Sequence, residues 1–122
     1  MYKNIFISQP RTGKSEEEIL ATRQKEIEKI HQEIREMRQL NSKEDDVQVN
    51  IIDSYIDDAT RNHFQERASD DINWDIYWLS QSLQKLAMAD VIWLCEGWEH
   101  SKGCNIEFAC AIQYGLGIMH LG

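Results

Sequence analysis

The residues Gly97-Trp98-Glu99-His100-Ser101-Lys102-Gly103-Cys104-Asn105-Ile106-Glu107 follow the fully apolar run Val91-Ile92-Trp93-Leu94-Cys95. The order reads as buried strand, small-residue loop and helix start, with the helix continuing from Ile106 to Tyr114 and Glu107 early in it. In an open α/β sheet, ligands bind beyond the carboxyl ends of the strands. Gly97 and Gly103 allow close backbone approach. Ser101 is placed to cap the helix and to offer a hydroxyl. A carboxylate at Glu107 has three uses. It accepts sugar hydroxyls, attacks an anomeric carbon as a nucleophile, or merely complements the helix dipole.

A second constellation lies near the start of the chain: Ser8-Gln9-Pro10-Arg11-Thr12-Gly13-Lys14-Ser15. It follows a predicted strand, Tyr2 to Ser8, and precedes a predicted helix. Gly13-Lys14-Ser15 matches the end of a phosphate-binding loop, but Ser8 stands where the leading glycine belongs. Asp53, after Ile51-Ile52, is the one weak counterpart for a magnesium-binding acid. An NTPase is therefore not expected, although the loop amides retain the chemistry to meet a phosphate or ribose.

These segments need elements to hold them. Ser15-Glu16-Glu17-Glu18 fits a capping box, and the helix it opens runs to about Leu40. Leu20, Ile27, Ile30, Ile34 and Met37 form its expected apolar stripe. Arg23 falls on that stripe in the second turn, where it reaches either solvent or a ligand. Asn41 to Asp46 reads as a turn and Val47 to Ile52 as a partly buried strand. Asp57 to Asp71 is polar and reads as a long loop with at most a helical turn. Ile72 to Ala89 reads as a helix with two apolar faces. One holds Ile72, Ile76, Leu79, Leu83 and Leu86, and the other holds Trp74 and Trp78 with Tyr77 beside them. The aromatic face is expected to meet another subunit, with a covering loop of the same chain as the alternative. Val91 to Cys95 is apolar on both faces, as central parallel strands are. Gly117 to Leu121 completes the order β-α-β-α-β-α-β. That order predicts a doubly wound parallel sheet of about four strands with helices on both faces, in one domain over 1–122.

Composition narrows the function classes. A formal net charge of −8 argues against general nucleic-acid binding. A small anionic ligand then needs a local group of cations, for which Arg11, Lys14, Arg23 and Lys102 are candidates. Neither a membrane span nor a signal peptide is expected. Three cysteines without paired spacing predict no disulfide framework and a reducing compartment. The histidines at 31, 63, 100 and 120 are scattered, so no metal and no cofactor is expected. Cys95, Cys104 and Cys110 read as packing groups, with Cys104 the one to check for reactivity.

Two motifs carry a resemblance. Ile7-Ser8-Gln9-Pro10-Arg11-Thr12-Gly13 is similar to Ile-Ser-Gly-Pro-x-Thr-Gly, and 97–107 is similar to Gly-Trp-x-x-Ser-x-Gly-x-x-x-Glu. With this pair the chain resembles the nucleoside 2-deoxyribosyltransferase-like superfamily over nearly its whole length. The resemblance implies that superfamily's α/β fold and puts Glu107 at the position of its nucleophile. There are two departures. Gln9 replaces a glycine, which places a side chain where a sugar or base would lie. Ser82 stands where the superfamily commonly carries an aspartate, eight residues before Asp90. Serine is no acid or base near neutral pH, so binding without turnover is expected.

Within that superfamily the chain is similar to phage-encoded anti-defence sponges. This implies a host-cytoplasmic homo-oligomer, dimeric or as large as a hexamer, with ligand sites between subunits. The implied ligand is a cyclic ADP-ribose isomer, glycocyclic ADP-ribose, made by bacterial TIR-domain proteins, with cyclic trinucleotides implied at separate sites. The expected ligand-binding residues are Ser8, Gln9, Arg11, Thr12 and Gly13 from the first motif and Gly97, Trp98, Ser101, Gly103, Asn105 and Glu107 from the second. Arg23, Trp74, Trp78 and Phe108 join them. By residue chemistry, Glu107 and Asn105 suit ribose hydroxyls. Arg11, Arg23 or the amides around Thr12 suit a pyrophosphate, and an aromatic among Trp74, Trp78 and Phe108 suits adenine. The alternative is a deoxyribosyltransferase or N-glycosidase with Glu107 as nucleophile.

Overall fold

A computed structural model describes residues 2–40, 48–52, 54–67 and 71–119 of the chain. Four parallel strands form one sheet in the order β2-β1-β3-β4, with β1 at Tyr2–Ser8, β2 at Gln48–Ile52, β3 at Val91–Leu94 and β4 at Gly117–Met119. Ile5 pairs with Ile51 on one side and Val91 on the other. Four α-helices accompany the strands among the described residues: α1 Glu16–Leu40, α2 Asp58–Arg67, α3 Trp74–Leu86 and α4 Lys102–Gln113. The coarse α/β expectation is met. Val47, His120 and Leu121, which the expected strands included, and Asp53 lie outside the described residues.

Strand alternation sorts the core into two layers. Ile5, Ile7, Val91, Trp93 and Cys95 face α1, where Ile27, Ile30 and Ile34 meet them. Phe6, Ile92 and Leu94 face the opposite way, onto Leu83 and Leu86 of α3 and Phe108 and Ala111 of α4. The two central strands are therefore apolar on both sides. Each large side chain buried this way contributes about 1.5–3 kcal/mol. Trp93 is fully buried, so its indole N–H needs an acceptor inside. Glu26 of α1, itself buried, supplies one at 2.8 Å.

The expected stripe of α1 is met at Ile27, Ile30 and Ile34 but not at its two ends. Ile19, Glu26 and Ile30 are buried, whereas Leu20 and Met37 are exposed. Arg23 lies between Ile19 and Glu26 on the inward line, half-buried. The cap is as expected in its main contact: the Ser15 hydroxyl accepts from the Glu18 amide at 3.1 Å and donates to its carboxylate at 3.2 Å.

Within the expected loop of 57–71, residues 58–67 are helical instead. Asp57 accepts from the Thr60 amide at 2.7 Å and caps α2, a ten-residue helix. Its sequence, Asp58-Ala59-Thr60-Arg61-Asn62-His63-Phe64-Gln65-Glu66-Arg67, has almost no apolar side chains, so no helical period shows. The expected inner stripe of α3 is met at Leu83 and Leu86 but not at its start, and Trp78 of the other face is also buried. Trp78 and Leu86 are buried, whereas Ile72 and Ile76 are exposed. Phe64 of α2 meets the Trp78 ring edge-on at 6.1 Å. An element of the same chain thus covers part of the face expected to meet another subunit. Asn73 caps α3 by accepting from Ile76 at 3.2 Å.

Candidate functional site

The sheet order creates one point where the connections part. From β1 the chain leaves to α1 on one face, and from β3 it leaves to α4 on the other. Between the carboxyl ends of these adjacent strands lies the crevice where doubly wound sheets bind ligands. A cleft opens at this end of the sheet, lined by Ile7 of β1, Gln9 and Arg11 just after it, and Arg23 of α1. Ser54 and Tyr55 after β2, Arg61 of α2, Ser82 of α3 and Glu107 of α4 complete the wall. Its volume is about 50 Å³, against roughly 300–1,000 Å³ for pockets that enclose a whole drug-sized ligand. It admits one end of a ligand.

Glu107 is 7 % exposed, and its carboxylate accepts from the Ser8 hydroxyl at 2.7 Å. Ser8, the last residue of β1, is wholly buried. Burial pushes the Glu107 carboxyl up to about 7, against the opposing pull of the Ser8 hydrogen bond. Near neutral pH this group is therefore poised between acid and carboxylate. Ser82, standing in place of the expected aspartate, lines the same cleft. Among the described lining residues, Glu107 is the only carboxylate.

The arginines are held by different means. Arg11 donates to the Ile56 carbonyl at 3.0 Å, lies 3.8 Å from Asp58 and sits 5.0 Å from the Tyr55 ring centre. Tyr55 in turn donates to Glu16 at the start of α1. Burial first, and then the Glu16 carboxylate, push the Tyr55 phenol up to about 12, so it stays a neutral donor. Arg61 stands 5.1 Å from the Trp78 ring centre. Three guanidinium groups thus face one cleft in a chain of net charge −8.

The structure brings Gln9, Arg11, Arg23, Glu107 and its partner Ser8 together. The Gln9 amide donates to the Ile19 carbonyl at 2.7 Å, which ties the side chain in the glycine's place to α1. Other expected residues serve the frame instead. Thr12 and Gly13 are exposed in a turn closed by Lys14 donating to Arg11. Gly97 adopts a φ of 86° that a side chain would strain. Gly103 lies against Leu79 of α3. Ser101 caps α4, accepting from Cys104 at 3.3 Å. The Asn105 amide is occupied by the carbonyls of Glu99 and Ser101 at 2.9 and 2.8 Å, away from the cleft wall. Trp98 and Phe108 pack together at 4.8 Å on the α3–α4 core layer. Trp74 stacks on Trp78 at 6.0 Å, and neither lines the cleft.

Ser54, Tyr55 and Arg61 escaped the sequence reading. All three come from the segment after β2 that lacks periodicity. Their one signal was position, since a segment leaving a strand's carboxyl end borders the crevice. Burial raises the Cys104 thiol, which disfavours its thiolate form. No group of three metal-binding side chains occurs among the described residues. No described helix is long and apolar enough to cross a membrane. No family model, curated protein or solved structure matches the chain.

Proposed function

We propose that the protein is a viral anti-defence sponge of the Thoeris type, which binds a cyclic ADP-ribose isomer, glycocyclic ADP-ribose, and holds it without cleaving it. The observation that carries this reading is the makeup of the cleft, where arginines surround a single buried carboxyl group; Ser82, also in its lining, stands where the resemblance implies a second acid. Guanidinium groups suit a pyrophosphate. Glu107, steered by Ser8, suits ribose hydroxyls in either protonation state, as acceptor when ionised and as donor when protonated. Glycosidic cleavage with a nitrogenous leaving group calls for a nucleophile and a proton donor. A carboxyl raised to about 7 is half protonated at neutral pH, and serine does not act as the acid. The cleft takes only one end of such a ligand, so the remainder lies over its mouth, where a second subunit completes the enclosure. The sequence motifs 7–13 and 97–107 support the same reading.

A second reading has one observation in its favour. Glu107 is buried at a strand end with a hydroxyl oriented on it, which also suits a deoxyribosyltransferase or N-glycosidase. Titration calorimetry separates the two. The sponge reading expects heat on adding glycocyclic ADP-ribose and none on adding deoxynucleoside monophosphates. Release of free base from a deoxynucleoside, abolished by Glu107→Ala, would establish the enzyme instead.

A further inference from the structure

One part of the cleft wall is unexplained by a grip on ribose. Arg61 projects from α2 into the lining beside Arg11 and Arg23. Its guanidinium lies against the Trp78 ring at 5.1 Å from the centre. Two donors at this contact, Arg61 Nε and Trp78 Nε1, are buried and have no acceptor among the described residues. An orphaned buried donor costs about 1–3 kcal/mol, and native structures hold few of them. Arg61 lines the cleft, so its free Nε marks a place where an acceptor belongs, with Trp78 packed behind it.

The charges there point to the kind of acceptor. Burial lowers the Arg61 pKa, and the nearby charge of Arg11 lowers it further. The two guanidinium groups therefore oppose one another. Asp58, Asp75 and the Tyr55 oxygen offset this in part, but Asp58 is exposed and already lies 3.8 Å from Arg11. A bound dianion would offset the repulsion and satisfy the free Nε donor together. A single sugar hydroxyl would accept from Nε but leave the repulsion in place.

We propose that Arg61, with Arg11 beside it, forms a subsite for the pyrophosphate group of the bound nucleotide. The nature of the whole ligand rests on the sponge reading above, whereas the subsite is open to test with inorganic pyrophosphate alone. Arg61 supplies a charge-assisted donor, and the Trp78 ring behind it keeps the guanidinium in place. The α2 helix is then the element that carries phosphate recognition, and Glu107 faces the sugar side.

The test is calorimetry with pyrophosphate, sulfate and glycocyclic ADP-ribose on the full chain and on Arg61→Gln, Arg61→Lys and Trp78→Phe. Circular dichroism checks the fold of each variant. The expected result is pyrophosphate binding in preference to sulfate, weakened at least about tenfold in Arg61→Gln. Arg61→Lys keeps the charge but lacks Nε, and it is expected to recover only part of the loss. Should Trp78→Phe fail to fold, the two Arg61 variants decide. Absence of pyrophosphate binding, equal binding of sulfate, or unchanged affinity in Arg61→Gln overturns the subsite. Arg61-dependent pyrophosphate binding without binding of the cyclic nucleotide upholds the subsite and rejects the sponge reading.

Discussion

Ser8 and Glu107 are 99 positions apart in the chain, yet the Ser8 hydroxyl donates to the Glu107 carboxylate at 2.7 Å in a buried setting. The bond joins the end of β1 to the first turns of α4, across the point where the sheet's connections diverge. It holds the one carboxyl group of the described cleft wall in a fixed direction. It also opposes, without cancelling, the effect of burial on that group.

Glu107 makes the protein's stability depend on pH in a stated direction. Its carboxyl titrates at about 7 in the fold, against 4.5 for an ordinary glutamate. Between these values the folded state holds more protons than the unfolded one, so stability falls as pH rises through that window. The total loss is on the order of 3 kcal/mol. Glu107→Gln, which stays neutral, is expected to be more stable than wild type at about pH 8.5 and little different at about pH 4, where both are uncharged. Urea denaturation at the two pH values measures the difference.

Ser8→Ala removes the donor from Glu107 in a site where no water-facing group replaces it. A loss of about 1–3 kcal/mol is expected. The loss is larger above pH 7 than below it, because the ionised carboxylate is the form that the hydroxyl favours. Chemical denaturation of Ser8→Ala beside wild type at both pH values checks this. An equal loss at both would show that the bond does not discriminate between the two states of Glu107.

Glu26 and Trp93 form a second buried polar pair, at 2.8 Å. Glu26→Leu leaves the Trp93 indole N–H without its acceptor and is expected to cost about 2–4 kcal/mol. Glu26→Gln keeps an acceptor oxygen and is expected to cost much less. Thermal melts followed by tryptophan fluorescence compare the two.

The oligomer expectation shifts to a different surface. Trp78 is covered by Phe64, while Ile76 is 64 % exposed beside exposed Ile72. Sedimentation equilibrium is expected to give a mass above the 14.3 kDa of one chain. Ile76→Glu is expected to return the protein to that mass. A wild-type monomer would remove the partner subunit from the account of ligand enclosure.

The legible parts of the fold were those whose residues follow a short-range rule. The apolar runs of β1 and β3, the serine caps at 15 and 101 and the placing of Glu107 beyond a buried strand all follow from neighbouring residues. The burial of Glu26 on α1 did not, because it looks like a surface acid until Trp93, 67 positions away, is known to need an acceptor. The α2 helix was hidden by its polarity, and with it went Arg61 and the burial of Trp78 under Phe64. Thr12, Gly13 and Asn105 carry suitable chemistry in sequence. In the fold, the first two are exposed in a turn and the third is bound to its own loop.

The central claim is that Glu107 holds a nucleotide sugar and does not attack it. It is tested most directly by incubating the protein with glycocyclic ADP-ribose, denaturing it, and separating the released ligand by chromatography. The account predicts that the ligand is retained until denaturation and then recovered intact. Recovery of ring-opened ADP-ribose or free adenine, formed by wild type and not by Glu107→Gln, would contradict it.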